Sequence, residues 1–114
     1  MSQLPELLQR QAVKRLDRFC TLQAQHQQNP RRLEYRIDGE QINLFELRRC
    51  QHNPRHLQQL PIAQLRFSTE LSQWTLHHQN GQHWQLYLNV TPSLDLGKLL
   101  VAIQQDPMGC FWPD

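Results

Sequence analysis

Several common features are scarce or missing in this chain. Its three cysteines, Cys20, Cys50 and Cys110, form no CxxC pair. An odd, widely spaced set argues against a disulfide framework and for small buried hydrophobes in a reducing compartment. No run of about 18 apolar residues occurs, so no membrane-spanning helix is expected. The opening MSQLPELLQRQ lacks a basic segment leading into an apolar run, so an export signal is not expected and a cytoplasmic location is. The four glycines form no GxGxxG or GxxxxGK[ST] pattern, and no HExxH occurs. Phosphate loops and zinc-protease sites recognised by those patterns are therefore unsupported, and no cofactor is implied. Charged residues are only 19% of the chain and hydrophobic residues 39%. Glutamine fills the deficit, with 18 of the 114 residues. Apolar residues still recur at regular spacings between the glutamines, which argues against disorder. The length suits one domain, 1–114, and a domain near this size buries roughly two thirds of its unfolded surface.

The net charge of +2 conceals an asymmetry. Residues 1–66 carry 11 Lys/Arg against 6 Asp/Glu, whereas residues 67–114 carry 1 against 4. The basic side is arginine-rich, and Arg presents a planar fork suited to phosphate, carboxylate and aromatic faces. The stretch Leu47 to Thr69 holds Arg48, Arg49, Arg55 and Arg66 with His52 and His56 and no acid. Such a stretch is either a solvated loop or an attractor for an anionic partner.

Periodicity outlines the elements. Leu4, Leu8, Ala12, Leu16 and Phe19 fall on one stripe of a helix predicted over 3–27, capped by Ser2 and ended by Asn29-Pro30. Residues 32–38 alternate as a strand, and Asp38-Gly39 signals a hairpin into a second strand over 41–48. That second strand is apolar on both faces, which predicts a central strand or a bulge. Residues 50–60 read as a connection and 61–68 as a third strand starting at Pro61. Strands over 73–79 and 82–90 flank Asn80-Gly81. A bulged loop there would place Trp74, Leu76, His78, Trp84, Leu86 and Leu88 on one face, with Thr75, His77, Gln85 and Tyr87 opposite. Ser93 caps a last helix whose Leu96, Leu99, Leu100 and Ile103 share a face. The tail Cys110-Phe111-Trp112 is too apolar to hang free. The order helix, five strands, helix predicts an α+β fold with a mostly antiparallel sheet and both helices on one face.

Few residues suggest chemistry. Cys50, His52 and His56, and separately His77, His78 and His83, are potential metal ligands, but neither set has zinc-finger spacing, and no metal site is expected. No local signature marks any cysteine as a nucleophile. Glu46 stands out because it shares the core side with Tyr35, Ile42 and Leu44. A carboxylate there needs a cation, and Arg48 or Arg66 are the candidates. Arg36, Arg66, His77, Gln85 and Tyr87 would line the polar sheet face, an arrangement that partly suits single-stranded nucleic acid.

The segments LEYRIDGEQINLFELRR, PIAQLRFS, WTLHHQNGQHWQLY and LDLGKLLVAIQQDPMGCFW together resemble a proteobacterial family, "domain of unknown function 3024", from about Leu33 to Trp112. The residues that carry the resemblance are Glu46, Arg48 and Arg49; Ala63 and Arg66; Trp74, Trp84 and Tyr87; and Asp106, Pro107, Gly109, Phe111 and Trp112. Cys50, His77-His78, Gln79 and Asn80 depart from the family pattern. The resemblance implies a bacterial, cytoplasmic setting and no assigned activity, and it singles out Glu46, Arg48, Arg49 and Arg66.

Three readings follow. The first is a non-catalytic binding or adaptor module that meets a protein or anionic ligand through Glu46, Arg48, Arg49, Arg66, His77 and Tyr87. The second is nucleic-acid binding through Arg48, Arg49, Arg55 and Arg66. The third is a small enzyme that pairs Glu46 with an Arg or His.

Overall fold

The computed structural model describes residues 3–113. They form helix α1 (Glu6–Ala24), strands β1 (Leu33–Asp38), β2 (Gln41–Arg49), β3 (Leu57–Ser68), β4 (Gln73–Asn80) and β5 (His83–Leu86), and helix α2 (Leu96–Gln105). The strands pair in chain order as an antiparallel sheet, β1-β2-β3-β4-β5. The connections, residues 39–40, 50–56, 69–72 and 81–82, are all shorter than the crossover a parallel pair needs.

The α1 stripe survives as Ala12, Leu16, Phe19 and Gln23, spaced at four, three and four residues and all buried. Along α2, Leu96, Leu99, Leu100 and Ile103 do the same. Both stripes join one cluster with Leu33, Ile42, Leu44, Ala63, Leu65, Phe67, Trp74 and Leu76, so both helices cover the same sheet face. The Tyr35 hydroxyl reaches down to donate to Asp17 Oδ1 at 2.6 Å, tying β1 to α1. The predicted cap Ser2 lies outside the described residues, and Pro5 occupies the N-cap of α1.

Strand β2 alternates regularly against β1, so Ile42 and Leu44 face the helices and Phe45 faces the opposite side; the bulge lies in β3. The pairing of β2 with β3 shifts between Leu44, opposite Ala63, and Phe45, opposite Pro61. Ile62 is the extra residue, and it is enclosed with the core. The third strand starts at Leu57 rather than Pro61, and proline sits within it. Proline is tolerated because β3 pairs with β4 only over Gln64–Ser68, which leaves Pro61 with one free edge beside the bulge.

The second hairpin departs from the expected register. The ladder pairs Asn80 with His83, Gln79 with Trp84 and His77 with Leu86. The turn is therefore the two residues Gly81-Gln82, with Gly81 at φ 66° in its first position. This is one residue away from the predicted bulged loop, so every β5 side chain changes face. Tyr87 lies beside Leu76, to whose carbonyl its N–H donates at 2.8 Å, and it faces the core. Leu86 and Leu88 are exposed instead. The reason is tertiary: Phe111 of the tail packs at a tilt against Tyr87, with ring centres 4.9 Å apart, and both rings are buried. Ser93 does not cap α2. It bridges to Trp74 at the edge of β4, and Asp95 is the N-cap, accepting from Gly97 N at 2.9 Å.

The tail closes on itself through Asp106. This residue takes a left-handed conformation at the end of α2 (φ 39°). Its carboxylate accepts from the backbone N–H of Cys110 at 2.7 Å and from those of Phe111 and Trp112 at 3.3 Å. No helix of the described residues is long and apolar enough to cross a membrane.

Candidate functional site

Glu46 lies on the helix side of β2, opposite Leu33, and is only 4% exposed. Its Oε1 meets Arg31 Nη1 at 3.2 Å and Arg48 Nε at 3.1 Å. Arg31 is also buried, and its guanidinium lies 4.5 Å from the ring centre of Trp112. The backbone N–H of Arg31 donates to Gln23 O, and the Trp112 indole N–H donates to Ile103 O. One carboxylate thus ties together the exit of α1, strand β2, the tail and α2. Charges this enclosed persist only when paired, and this triad satisfies the pairing with two cations on one acid.

The opposite sheet face carries no helix. Register places Arg36, Asn43, Gln64, His77 and Leu86 in one row across all five strands. Gln41, Arg66 and Thr75 form the next row on one side. Phe45 and Trp84 lie on the other side of the central row, and none of the face's apolar residues joins the helix-bearing core. Hydrogen bonds lock the middle. Gln64 Nε2 donates to Asn43 Oδ1 at 2.9 Å, and Arg66 Nε donates to Gln64 Oε1 at 2.6 Å. Thr75 Oγ1 and His77 Nε2 are 2.9 Å apart. His77 Nδ1 is buried with no hydrogen-bond partner. Burial, then the charge of Arg66 and the neighbouring His78, lower the pKa of His77 from 6.5 to about 4, so the ring is neutral near pH 7. A shallow depression of about 190 Å³ opens between Arg36, Phe45, Gln59, Pro61 and Trp84, with the Arg36 guanidinium 5.9 Å from the Phe45 ring centre. The face therefore offers two arginines beside two carboxylates, Glu34 and Asp38, together with side-chain amides and aromatic rings on one sheet.

The residues nominated by sequence divide between these two places. Glu46 and Arg48 meet on the helix side, while Arg66 and His77 lie on the open face. Arg66 does not reach Glu46, because it sits one row beyond the Gln64–His77 row and on the other surface. Arg49 is exposed at the end of β2, and Arg55 is exposed in the turn before β3, where its N–H bonds Asn53 Oδ1. The four arginines of the basic stretch consequently do not converge. Tyr87 and Gln85 leave the predicted polar face with the changed register. Tyr87 is buried among Phe111 and His78, and burial raises the pKa of its phenol. Arg31 and Phe45 were not among the site residues predicted from sequence, and Trp84, expected on the core face, lies on the open one. Phe45 carried one usable signal, its place on the second apolar face of β2.

Cys20 is half-buried, and burial together with Asp17 and Glu34 pushes its thiol up to about 11, so it stays protonated near pH 7. His77 and His78 point to opposite faces. Among the described residues no three His, Cys, Asp or Glu side chains gather where a metal ion would need them.

Comparison with known proteins gives one match. The family described as a domain of unknown function (DUF3024) matches residues 4–113, and the chain belongs to it. No curated protein and no solved structure matches the chain.

Proposed function

We propose that this member of the DUF3024 family is a non-catalytic binding module of the bacterial cytoplasm whose open sheet face holds an anionic partner. The observation that carries the reading is the row Arg36–Asn43–Gln64–His77–Leu86, flanked by Arg66, Phe45 and Trp84, on a face that the helices leave uncovered. Its polar centre is already hydrogen-bonded in place, so a partner meets groups that lose little freedom on binding. The pairing of Glu46 with two guanidiniums supports a structural use for that acid over a general acid or base. Arginine beside the half-buried Trp84 ring also partly suits single-stranded nucleic acid, which needs phosphate contacts and stacking platforms.

Fluorescence anisotropy with labelled single-stranded DNA and RNA, at low and moderate salt, tests the reading. Saturable binding that weakens steeply with salt, and is lost in Arg36→Ala/Arg66→Ala, assigns nucleic acid to this face, because phosphate contacts release counterions. No binding at low salt removes nucleic acid and directs the search to proteins captured from bacterial lysate. Capture that is unchanged by Arg36→Glu/Arg66→Glu/Trp84→Ala would sink the open-face reading altogether.

A further inference from the structure

A concavity with a mixed lining lies on the other side of the sheet, between α1 and the start of α2. It is a groove of about 750 Å³. Lys14, Arg15 and Arg18 of α1 stand along one wall, and Ser93, Leu94 and Asp95 form the other. Leu8, Ala12, Trp74 and Leu96 supply an apolar floor. Three cations therefore face one carboxylate. Asp95 is already engaged with Gly97 N at 2.9 Å, so the start of α2 is occupied by the protein's own cap. Lys14, Arg15 and Arg18 make no ion pair among the described residues. The nearest acid on α1, Asp17, accepts from the Tyr35 hydroxyl at 2.6 Å, and Glu6 is held by Arg10 at 2.6 Å. Gly97 leaves space for one of these cations. A side-chain carbon there would stand 3.0 Å from Arg15 Nη1, so the absence of one lets the guanidinium lie against the first turn of α2.

One cationic wall over an apolar floor is complementary to a molecule with an anionic head and an apolar body. The volume falls within the range of small-molecule sites, roughly 300–1,000 Å³. We propose that this groove binds a small amphipathic anion, with its carboxylate or phosphate head among Lys14, Arg15 and Arg18 and its aliphatic or aromatic body along Leu8, Leu94 and Leu96. The apolar body supplies affinity by leaving water, and the cations select charge. The site is independent of the open sheet face, which lies across the sheet from it.

Isothermal titration of the full chain with octanoate, octyl phosphate, 1-octanol and inorganic phosphate, with backbone amide NMR shifts recorded alongside, tests the proposal. Octanoate and octyl phosphate are expected to bind saturably, about tenfold more tightly than 1-octanol, and to shift the amides of Leu8, Ala12, Leu96 and Gly97. Whichever of the two binds more tightly identifies the head group. Lys14→Glu/Arg15→Glu/Arg18→Glu is expected to weaken both by about tenfold or more. All three residues are exposed, and the milder Arg15→Gln/Arg18→Gln gives the same direction should the reversal disturb the fold. Equal affinity for octanoate and 1-octanol would overturn the proposal. So would inorganic phosphate binding as tightly as octyl phosphate, no binding of either amphiphile, undiminished binding by the charge-reversed variant, or shifts confined to the open face.

Discussion

His77 places an imidazole at the centre of the open face with one nitrogen held near Thr75 and the other unpartnered. Its folded pKa, about 4, lies below the 6.5 of an unhindered imidazole. Between those values the unfolded chain binds more protons than the folded one, so stability rises with pH. The contribution of the neutral ring is complete above about pH 6.5 and is lost as the pH falls toward about 4. We expect this window to cost on the order of 2–3 kcal/mol. His77→Gln should flatten the pH dependence of urea unfolding by a similar amount between pH 7 and 4. An NMR titration in which the His77 ring changes near pH 6.5 would refute the assignment.

Among the elements, the end of α2 depends most on one side chain. Asp106 holds a left-handed backbone and caps three successive N–H groups of the tail. Asp106→Ala removes the acceptors and adds strain, and Asp106→Gly removes only the acceptors. Leaving partly buried N–H groups without acceptors is expected to cost about 1–3 kcal/mol, so Asp106→Gly should still destabilise by about that much in urea denaturation. Asp106→Asn keeps one oxygen and tolerates the backbone, and it should fall between Asp106→Gly and the unaltered protein. If Asp106→Gly were as stable as the unaltered chain, the capping bonds would be energetically idle. The two glycine-led hairpins tell a related story. Gly39 and Gly81 each take a positive φ at the first turn position, which side chains resist.

At the scale of the whole molecule, Glu46 joins parts that are distant in sequence. It holds Arg31, Arg31 stacks on Trp112, and Trp112 bonds α2. Glu46→Ala removes the carboxylate that Arg31 and Arg48 share inside the fold and is expected to destabilise it by up to about 3–5 kcal/mol in equilibrium unfolding. Because Glu46 and Trp112 act through the same arginine, a double-mutant cycle of Glu46→Gln and Trp112→Ala should show coupling of about 0.5–3 kcal/mol. Additive losses would mean the tail docks independently of the ion pair. The sheet separates this structural triad from the open face, so substitution of the exposed Arg36 should leave stability nearly unchanged while altering binding, whereas substitution of Arg66 also removes a donor from the buried Gln64 amide.

Local pattern determined the helices and the strands. The three- and four-residue spacings of α1 and α2, the alternation of β1 and the glycine turns all act over distances that the chain itself spans. The same pattern marked β2 as a central strand, while the bulge was not legible because its extra residue, Ile62, belongs to β3. It also marked Glu46 as a core carboxylate in need of a cation. Tertiary structure decided which cation. Arg31 follows a helix and shows no periodic signal, and it reaches Glu46 only because α1 packs across β1. The β5 register was decided in the same way. Leu86, Leu88 and Tyr87 were all apolar enough to face the core, and a one-residue shift costs nothing in local geometry. The choice fell to Tyr87 because Phe111, arriving from the far end of the chain, packs against a ring at that place. That one contact moved Trp84 onto the open face and Tyr87 off it, so the composition of the candidate surface follows from a long-range packing event that no local pattern encodes.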